Sequence, residues 1–360
     1  MARRPVERRA PAKPDGPEAT PLNIGEVARR SGVSRSTVSY ALSGKRTVSE
    51  ATRRRIQEVI DELGYRPNAT ARALKEGRTR TIGLVIPPAG GRLTLMQLDF
   101  VGAVMEAAAR ADLDVLLSPS GDDHEHSFER LVSGRRVDGV LLMEIRLQDP
   151  RVDRLQQVGL PFVTIGRTGR PDAMDWVDID SATLISRCVD HLADLGHRHI
   201  ALVNRSADMV ASGYGPAYRA HEGFAASTAR RGVEGAEFNC GDNAQAGESC
   251  VEQILRSHPE TTAVATINEA ALPGIQRALE RTGWAIPSRF SVTGIVARHW
   301  AEQFHPQLTA ADVPASSMGA TAVRFLIERI ADPAAPPRQE LFAPPISLRS
   351  STGPAATPSP

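Results

Sequence analysis

The chain reads as a small all-α head of three short helices joined to an α/β body of two lobes, each a parallel sheet flanked by helices. Three observations predict this. Between Asn23 and Tyr65, apolar residues recur at helical spacing and are interrupted by Gly32 and Gly64. From Thr81 onward, short apolar runs alternate with amphipathic stretches, the pattern of strands and crossover helices. Charge divides at the same place: residues 1–80 carry 18 Lys/Arg against 9 Asp/Glu, and the remainder carries 25 against 33. A basic head on an acidic body suggests that only the head meets a polyanion.

At 360 residues and 41% hydrophobic content the chain is long enough for several domains and a sizeable core. It has no run of eighteen apolar residues, so no membrane partner is expected. The opening "MARRPVERRAPAKPDGPEATP" is basic and rich in Pro and Ala but lacks an apolar stretch. It reads as a disordered tail over residues 1–20 and not as a secretory leader, and the expected location is cytoplasmic. Cys188, Cys240 and Cys250 are odd in number and widely spaced, which suits reduced thiols better than a disulfide frame or a zinc site.

Each helix of the head carries its own start and stop. Asn23 caps "IGEVARR", whose Ile24, Val27 and Ala28 fall on one face, and Gly32 ends it. Ser34 caps "RSTVSYAL", with Val38, Ala41 and Leu42 as its inner positions. Ser49 caps a third helix from Glu50 to Leu63 with Ile56, Val59, Ile60 and Leu63 inside, and Gly64 stops it. Two short helices joined by a tight Gly turn and buttressed by a third form a helix-turn-helix. In that arrangement the second helix enters the major groove, while hydroxyls and helix amides beside it bond phosphate oxygens.

The stretch "NIGEVARRSGVSRSTVSYALSGKRTVSEATRRRIQEVIDELGYRPNATARALKEGRTRTIGLVIP" resembles the N-terminal signature of the LacI/GalR (lactose-repressor) family of bacterial transcription regulators. The likeness runs nearly without gaps from Leu22 to Pro87, and weaker features continue to about residue 350. It implies that Arg35, Ser36, Tyr40 and Thr47 read bases in the major groove. It implies phosphate contacts for Ser34, Thr37, Ser39, Ser49, Thr52 and Asn68. "NATARALK" matches a hinge that becomes helical only on operator DNA, with Leu74 as a minor-groove wedge and Ala71 and Lys75 beside it. A helix of that length is marginal alone, and a wedging Leu costs a few kcal/mol of unstacking that the bent duplex offsets. Tyr40 departs from the Arg found in many members, so the base it meets need not be guanine.

In the body, "TIGLVI", "LDVLLS", "VDGVLLM" and "PFVTIG" read as buried strands of one lobe, and "HIALVN", "TAVATI" and "FSVTGIV" as strands of another. The pattern resembles the periplasmic-binding-protein fold that the family carries. The expected division is a helix-turn-helix domain over 21–66, a hinge and linker over 67–80 and an effector-binding and dimerisation domain over 81–350. Its first lobe takes in about 81–180 and 312–335, its second about 181–311 and 336–350, and residues 351–360 form a disordered tail. The late "LTAADVPASSMGATAVRFLIERI" should return a helix to the first lobe. A ligand cleft is expected between the lobes, near the carboxyl ends of the strands.

Enzymatic readings find no support. "DDHEH" suits a solvated helix start, "GHRHI" a turn into a strand, and "GYGPAYRAHEGF" lacks the Gly-Lys-Ser/Thr of a phosphate loop. No G-x-S-x-G elbow occurs, and no cofactor or metal is expected. The reading is a sequence-specific DNA-binding regulator, a repressor acting as a homodimer on a palindromic operator of double-stranded DNA under a small-molecule effector. The alternatives are a solute-binding protein of the same two-lobed fold and a DNA-binding regulator without an effector. Candidate effector residues are Met96, Arg167, Asp180, Tyr214, Arg219, Asn268 and Glu269. Where sugar-binding members place Arg and Asp, this chain has Ala220 and Val296 or Ala297. Arg219 stands one residue early, a turn of roughly 100° on a helix, so a less hydroxylated or more apolar effector is expected.

Overall fold

Asn23 opens α1 (Ile24–Ser31), its side chain accepting from the backbone N–H groups of Gly25 and Glu26. Gly32 closes it at φ 63°, in the left-handed region that a side chain resists. α2 (Arg35–Ser43) follows, with the Ser34 hydroxyl accepting from Thr37 N–H at 3.1 Å. α3 (Glu50–Leu63) is capped by Ser49 and ends at Gly64, φ 61°. Val27, Ala28, Val38, Ile56, Val59, Ile60 and Tyr65 form a continuous core, with Ile24, Val33, Ala41 and Leu63 packed at its edge. Leu42, expected inside, is exposed. Val38 and Ala41 already fill the inner face of α2, and Leu42 comes one step farther round the helix.

The computed structural model describes residues 23–43, 46–65, 77–86, 93–119, 125–134 and 136–356. The tail over 1–20 and most of the hinge, with Asn68, Ala71, Leu74 and Lys75, lie outside the described residues. The chain divides into two units, residues 1–77 and 78–360.

The first lobe of the body comprises β1 (Thr81–Ile86), α4 (Leu95–Arg110), β2 (Asp114–Pro119), α5 (Glu125–Ser133), β3 (Gly139–Leu142), α6 (Pro150–Val158), β4 (Phe162–Ile165) and β5 (Trp176–Ile179). The second begins with α7 (Ser181–Asp194), β6 (His199–Asn204), α8 (Ala207–Ala211), α9 (Gly215–Arg231), β7 (Glu234–Asn239), α10 (Ala244–Ser257) and β8 (Ala263–Thr266). It continues through a 3₁₀ turn (Glu269–Ala271), α11 (Leu272–Arg281), β9 (Ser291–Val296), α12 (Arg298–Gln303) and β10 (Thr309–Asp312). Last come α13 (Ala315–Ala331), β11 (Gln339–Phe342) and β12 (Ile346–Ser347).

One sheet runs β11-β5-β4-β3-β1-β2, all parallel; the other runs β12-β10-β9-β8-β6-β7, parallel except for β12. β3, β8 and β9 are buried along their whole length because helices cover both faces, which is why they read as unbroken apolar runs. β7 is an edge strand with largely exposed residues, and its "EGAEFN" gave no such signal. Gly223 lets α9 lie against α7: a Cβ there would stand 2.2 Å from the Ala182 carbonyl oxygen. Among the described residues, no helix is long and apolar enough to cross a membrane.

The lobes exchange chain three times, between β5 and α7, between β10 and α13, and between β11 and β12. α13 packs on α4 in the first lobe. Residues 336–350, expected in the second lobe, divide instead: β11 pairs with β5 in the first sheet, and only β12 joins the second. The expected C-terminal tail is also partly built in. Ser351 is fully buried, donating to Val292 O at 2.6 Å and accepting from Thr309 N–H at 2.8 Å. His197 joins Thr262 at 2.8 Å through Nδ1 and lies 3.0 Å from Ser291 Oγ through Nε2. Residues 351–356 are therefore packed chain, and 357–360 lie outside the described residues.

Candidate functional site

Two helix starts in the head are built alike. Ser34 and Thr37 share a hydroxyl hydrogen bond of 2.8 Å at the head of α2, and Ser49 and Thr52 share one of 2.8 Å at the head of α3. Each pair stands beside N–H groups that have no partner within the helix, which makes both ends ready acceptor sites for an anion. Ser34, Arg35, Ser36, Thr47 and Ser49 are exposed, while Thr37, Ser39, Tyr40 and Thr52 are half-buried. The Arg35 guanidinium lies over the first turn of α1 at Gly25. Arg46, not singled out in the sequence, lies 5.2 Å from the Tyr40 ring centroid. It supplies a guanidinium beside the Tyr40 ring.

In the body, α9 carries Arg219 inward. Its Nη2 donates to the carbonyls of Arg167 and Thr168 at 3.0 and 3.1 Å, and Nη1 lies 3.8 Å from Asp178 Oδ2. Gly215 makes room for it, since a Cβ there would stand 2.5 Å from Nη1. The one-residue offset does not turn Arg219 away: it is 8% exposed and engages the first lobe. Arg167 Nε lies 3.6 Å from the same Asp178 oxygen, with its guanidinium over Trp176 at 5.5 Å. Asp178 Oδ2 and Arg219 Nη1 are buried without a hydrogen-bond partner. Burial pushes the Asp178 carboxyl up to about 6, against the opposing pull of Arg219 and Arg167.

A second polar group sits at the ends of β6, β7 and β8. Arg205 pairs with Asp242 at 3.0 Å and lies 5.6 Å from the Tyr214 ring centroid. Burial raises the Tyr214 phenol well above its usual value, and the negative charge of Glu144 adds to this. Asn268 donates to Cys240 O at 2.8 Å, and its own Oδ1 is buried without a partner. Glu269 spans the lobes, accepting from Met96 N–H at 3.1 Å and Ala297 N–H at 3.3 Å. Backbone bonds from Leu147 N–H to Gly213 O and from Gly215 N–H to Ile145 O join the lobes beside it.

The candidate residues thus take different parts. Arg167, Tyr214, Arg219 and Glu269 make contacts where the lobes meet, and Asn268, next to Glu269 in the chain, bonds within the second lobe. Met96 contributes its backbone, and Asp180 is spent as the cap of α7, accepting from Thr183 N–H at 3.2 Å. Asp178, Arg205, Asp242 and Glu144 were missed. The sequence held a signal for the first, a lone acid within the apolar run of β5, and for the others their places at or just beyond strand carboxyl ends.

The profile described as "Bacterial regulatory proteins, lacI family" matches residues 23–68, and "Periplasmic binding protein-like domain" matches residues 189–352. The HTH-type transcriptional regulator AglR of Rhizobium meliloti (strain 1021) is 31% identical over 349 residues, which are 94% of this chain and 97% of that protein. The chain belongs to the lacI family of bacterial regulatory proteins. It is a DNA-binding transcriptional regulator. Among solved structures, a complex of the transcriptional regulator CelR with cellobiose is 27% identical, with a TM-score of 0.68, covering 92% of this chain and 99% of that one. A lac repressor dimer bound to operator and the anti-inducer ONPF shares the fold at 22% identity and a TM-score of 0.82, covering 93% and 100%. The lacI-family head and the two-lobed body therefore stand in one chain, and the named relatives are regulators and not enzymes.

Proposed function

We propose that this lacI-family regulator is a cytoplasmic repressor that binds a pseudo-palindromic operator as a homodimer and responds to a small polar effector held between its lobes. In this reading Arg35, Ser36, Tyr40 and Thr47 meet base edges, with Arg46 beside Tyr40. Ser34, Thr37, Ser39, Ser49 and Thr52 hold phosphates, and Asn68, Ala71, Leu74 and Lys75 serve the hinge. The observation that carries the DNA contacts is the matched Ser–Thr pair at the heads of α2 and α3. Dimerisation draws support from α4, where exposed Leu98 and Met105 stand seven residues apart on one face, with exposed Leu117 on β2. A single head makes few contacts, and two related by symmetry double them.

For the effector, the buried unpaired atoms of Asp178, Arg219 and Asn268 favour a molecule with both hydrogen-bond donors and acceptors. The inward side chain of Arg219 supports this polar effector over the less hydroxylated or more apolar one expected from the sequence. The test is selection of duplexes from a random-sequence pool by the full chain, followed by mobility shifts at several salt concentrations. A selected pseudo-palindrome should bind as a 2:1 complex with affinity falling steeply as salt rises, since each head neutralises several phosphates. Recovery of no preferred sequence, or salt-independent binding, would overturn the reading.

A further inference from the structure

Gly25 occupies the second position of α1, where glycine is a weaker helix former than alanine. The cap's hydrogen bonds do not require it there, although a Cβ would stand 2.8 Å from Asn23 Oδ1. Asn23 already takes the Gly25 and Glu26 amides, and any residue but proline offers the same N–H. The space above it gives the reason. A Cβ at residue 25 would stand 2.6 Å from Arg35 Nη2 and 2.8 Å from Arg35 Nε, closer than side-chain carbons approach such atoms. The guanidinium of the first residue of α2 thus rests on bare backbone of α1. Arg35 is exposed and has a long flexible stem, so in solution its resting direction is set by what it can lie against.

We propose that Gly25 is a specificity-determining residue that acts through Arg35. Lacking a side chain, it provides the shelf on which the arginine is held in one orientation, ready to meet a base edge. A side chain at residue 25 displaces the guanidinium and scatters it over other rotamers. Ordering it again on DNA then costs affinity for the selected sequence and none for random sequence. The inference rests on the reading that Arg35 contacts bases, and it adds a partner with no atoms of its own to offer DNA.

The test is a double-mutant cycle on the full chain with Gly25→Ala, Arg35→Ala and the double variant. The probes are the duplex selected by the wild-type protein and a random-sequence duplex of equal length. The Cβ introduced by Gly25→Ala would also stand 2.8 Å from Asn23 Oδ1. Any loosening of the cap acts with or without Arg35, and therefore cancels in the cycle. With Arg35 present, Gly25→Ala should lower the ratio of selected to random affinity about fivefold; in the Arg35→Ala background it should change the ratio by less than about twofold. Circular dichroism of each variant checks that the head remains folded. If Arg35→Ala leaves the ratio unchanged, the base-reading role of Arg35 fails and this inference with it. If Arg35→Ala lowers the ratio but Gly25→Ala does not, or the two effects simply add, the Gly25 inference alone is overturned.

Discussion

In the head, Ser34, Arg35, Ser36, Thr47 and Ser49 stand in solvent around a small apolar core, whereas in the cleft Asp178, Arg219, Asn268 and Glu269 are themselves buried. Exposed groups that cap no helix, such as Arg35, Ser36 and Thr47, contribute little to folding, so an experimenter can exchange them without unfolding the domain. Buried charges are different. Each needs a partner inside the protein, and removing one leaves the other stranded in low dielectric. Substitutions in the head, the helix caps apart, should therefore separate recognition from stability, and substitutions in the cleft should join them.

The largest test of that contrast is Arg219→Ala. It takes one of the two guanidinium groups from Asp178, leaving Arg167 at 3.6 Å, and should cost the body about 3 kcal/mol in urea unfolding at pH 7. The pH dependence sharpens it. Asp178 titrates at about 6 in the fold against an ordinary 3.8, so the native state binds its proton more tightly. Its contribution then rises as pH falls from 7 toward 4, by about 3 kcal/mol, and is lost again as pH climbs through 6. The deficit of Arg219→Ala should shrink in the same window, since a protonated Asp178 needs no cation. A deficit undiminished at pH 4.5 would assign the cost to packing instead.

A middle-sized effect is expected at Ser49→Ala. Loss of the α3 cap should lower the stability of the head by about 1 kcal/mol, read from its own melting transition. It should leave the body transition unmoved, and a joint shift would break the separation between the regions. The smallest belongs to Arg30→Ala. Arg30 pairs with Glu62 at 3.0 Å and Glu26 at 3.5 Å in solvent, so a change beyond about 0.5 kcal/mol in head stability is not expected.

The same contrast explains what was legible in the sequence. The caps Asn23, Ser34 and Ser49 and the stops Gly32 and Gly64 act on residues next to them, and each could be read from its neighbours. Apolar runs announced β1, β3, β4, β6, β8 and β9, and also β2, which is an edge strand and not the buried one expected. The short buried strands β5 and β10, each carrying an Asp, and the half-covered edge strands β7 and β11 gave no such run. The cleft is assembled from residues far apart in the chain, such as Asp178 and Arg219 or Met96 and Glu269, and no spacing rule links them. The direction of Arg219, one residue off the expected place, was not legible from spacing for a similar reason. Helical rotation fixes where a Cα points, but a long side chain over the bare backbone of Gly215 can still reach the cleft.

The three strands of chain that pass between the lobes form a row. The passages after β5 and β11 are tied by the Asp180 N–H to Phe342 O bond, and Arg187 holds the carbonyls of Ala343 and Pro344. β12 lies beside β10 at the other end of the last passage. A single connection would let one lobe swivel, tilt or slide on the other. Three abreast resist sliding and twisting and leave bending across the row as the soft motion, as a door on several pins can only swing. Whatever enters or leaves the cleft, the mechanical output is then one angle, and a molecule with one angle to report can set a switch.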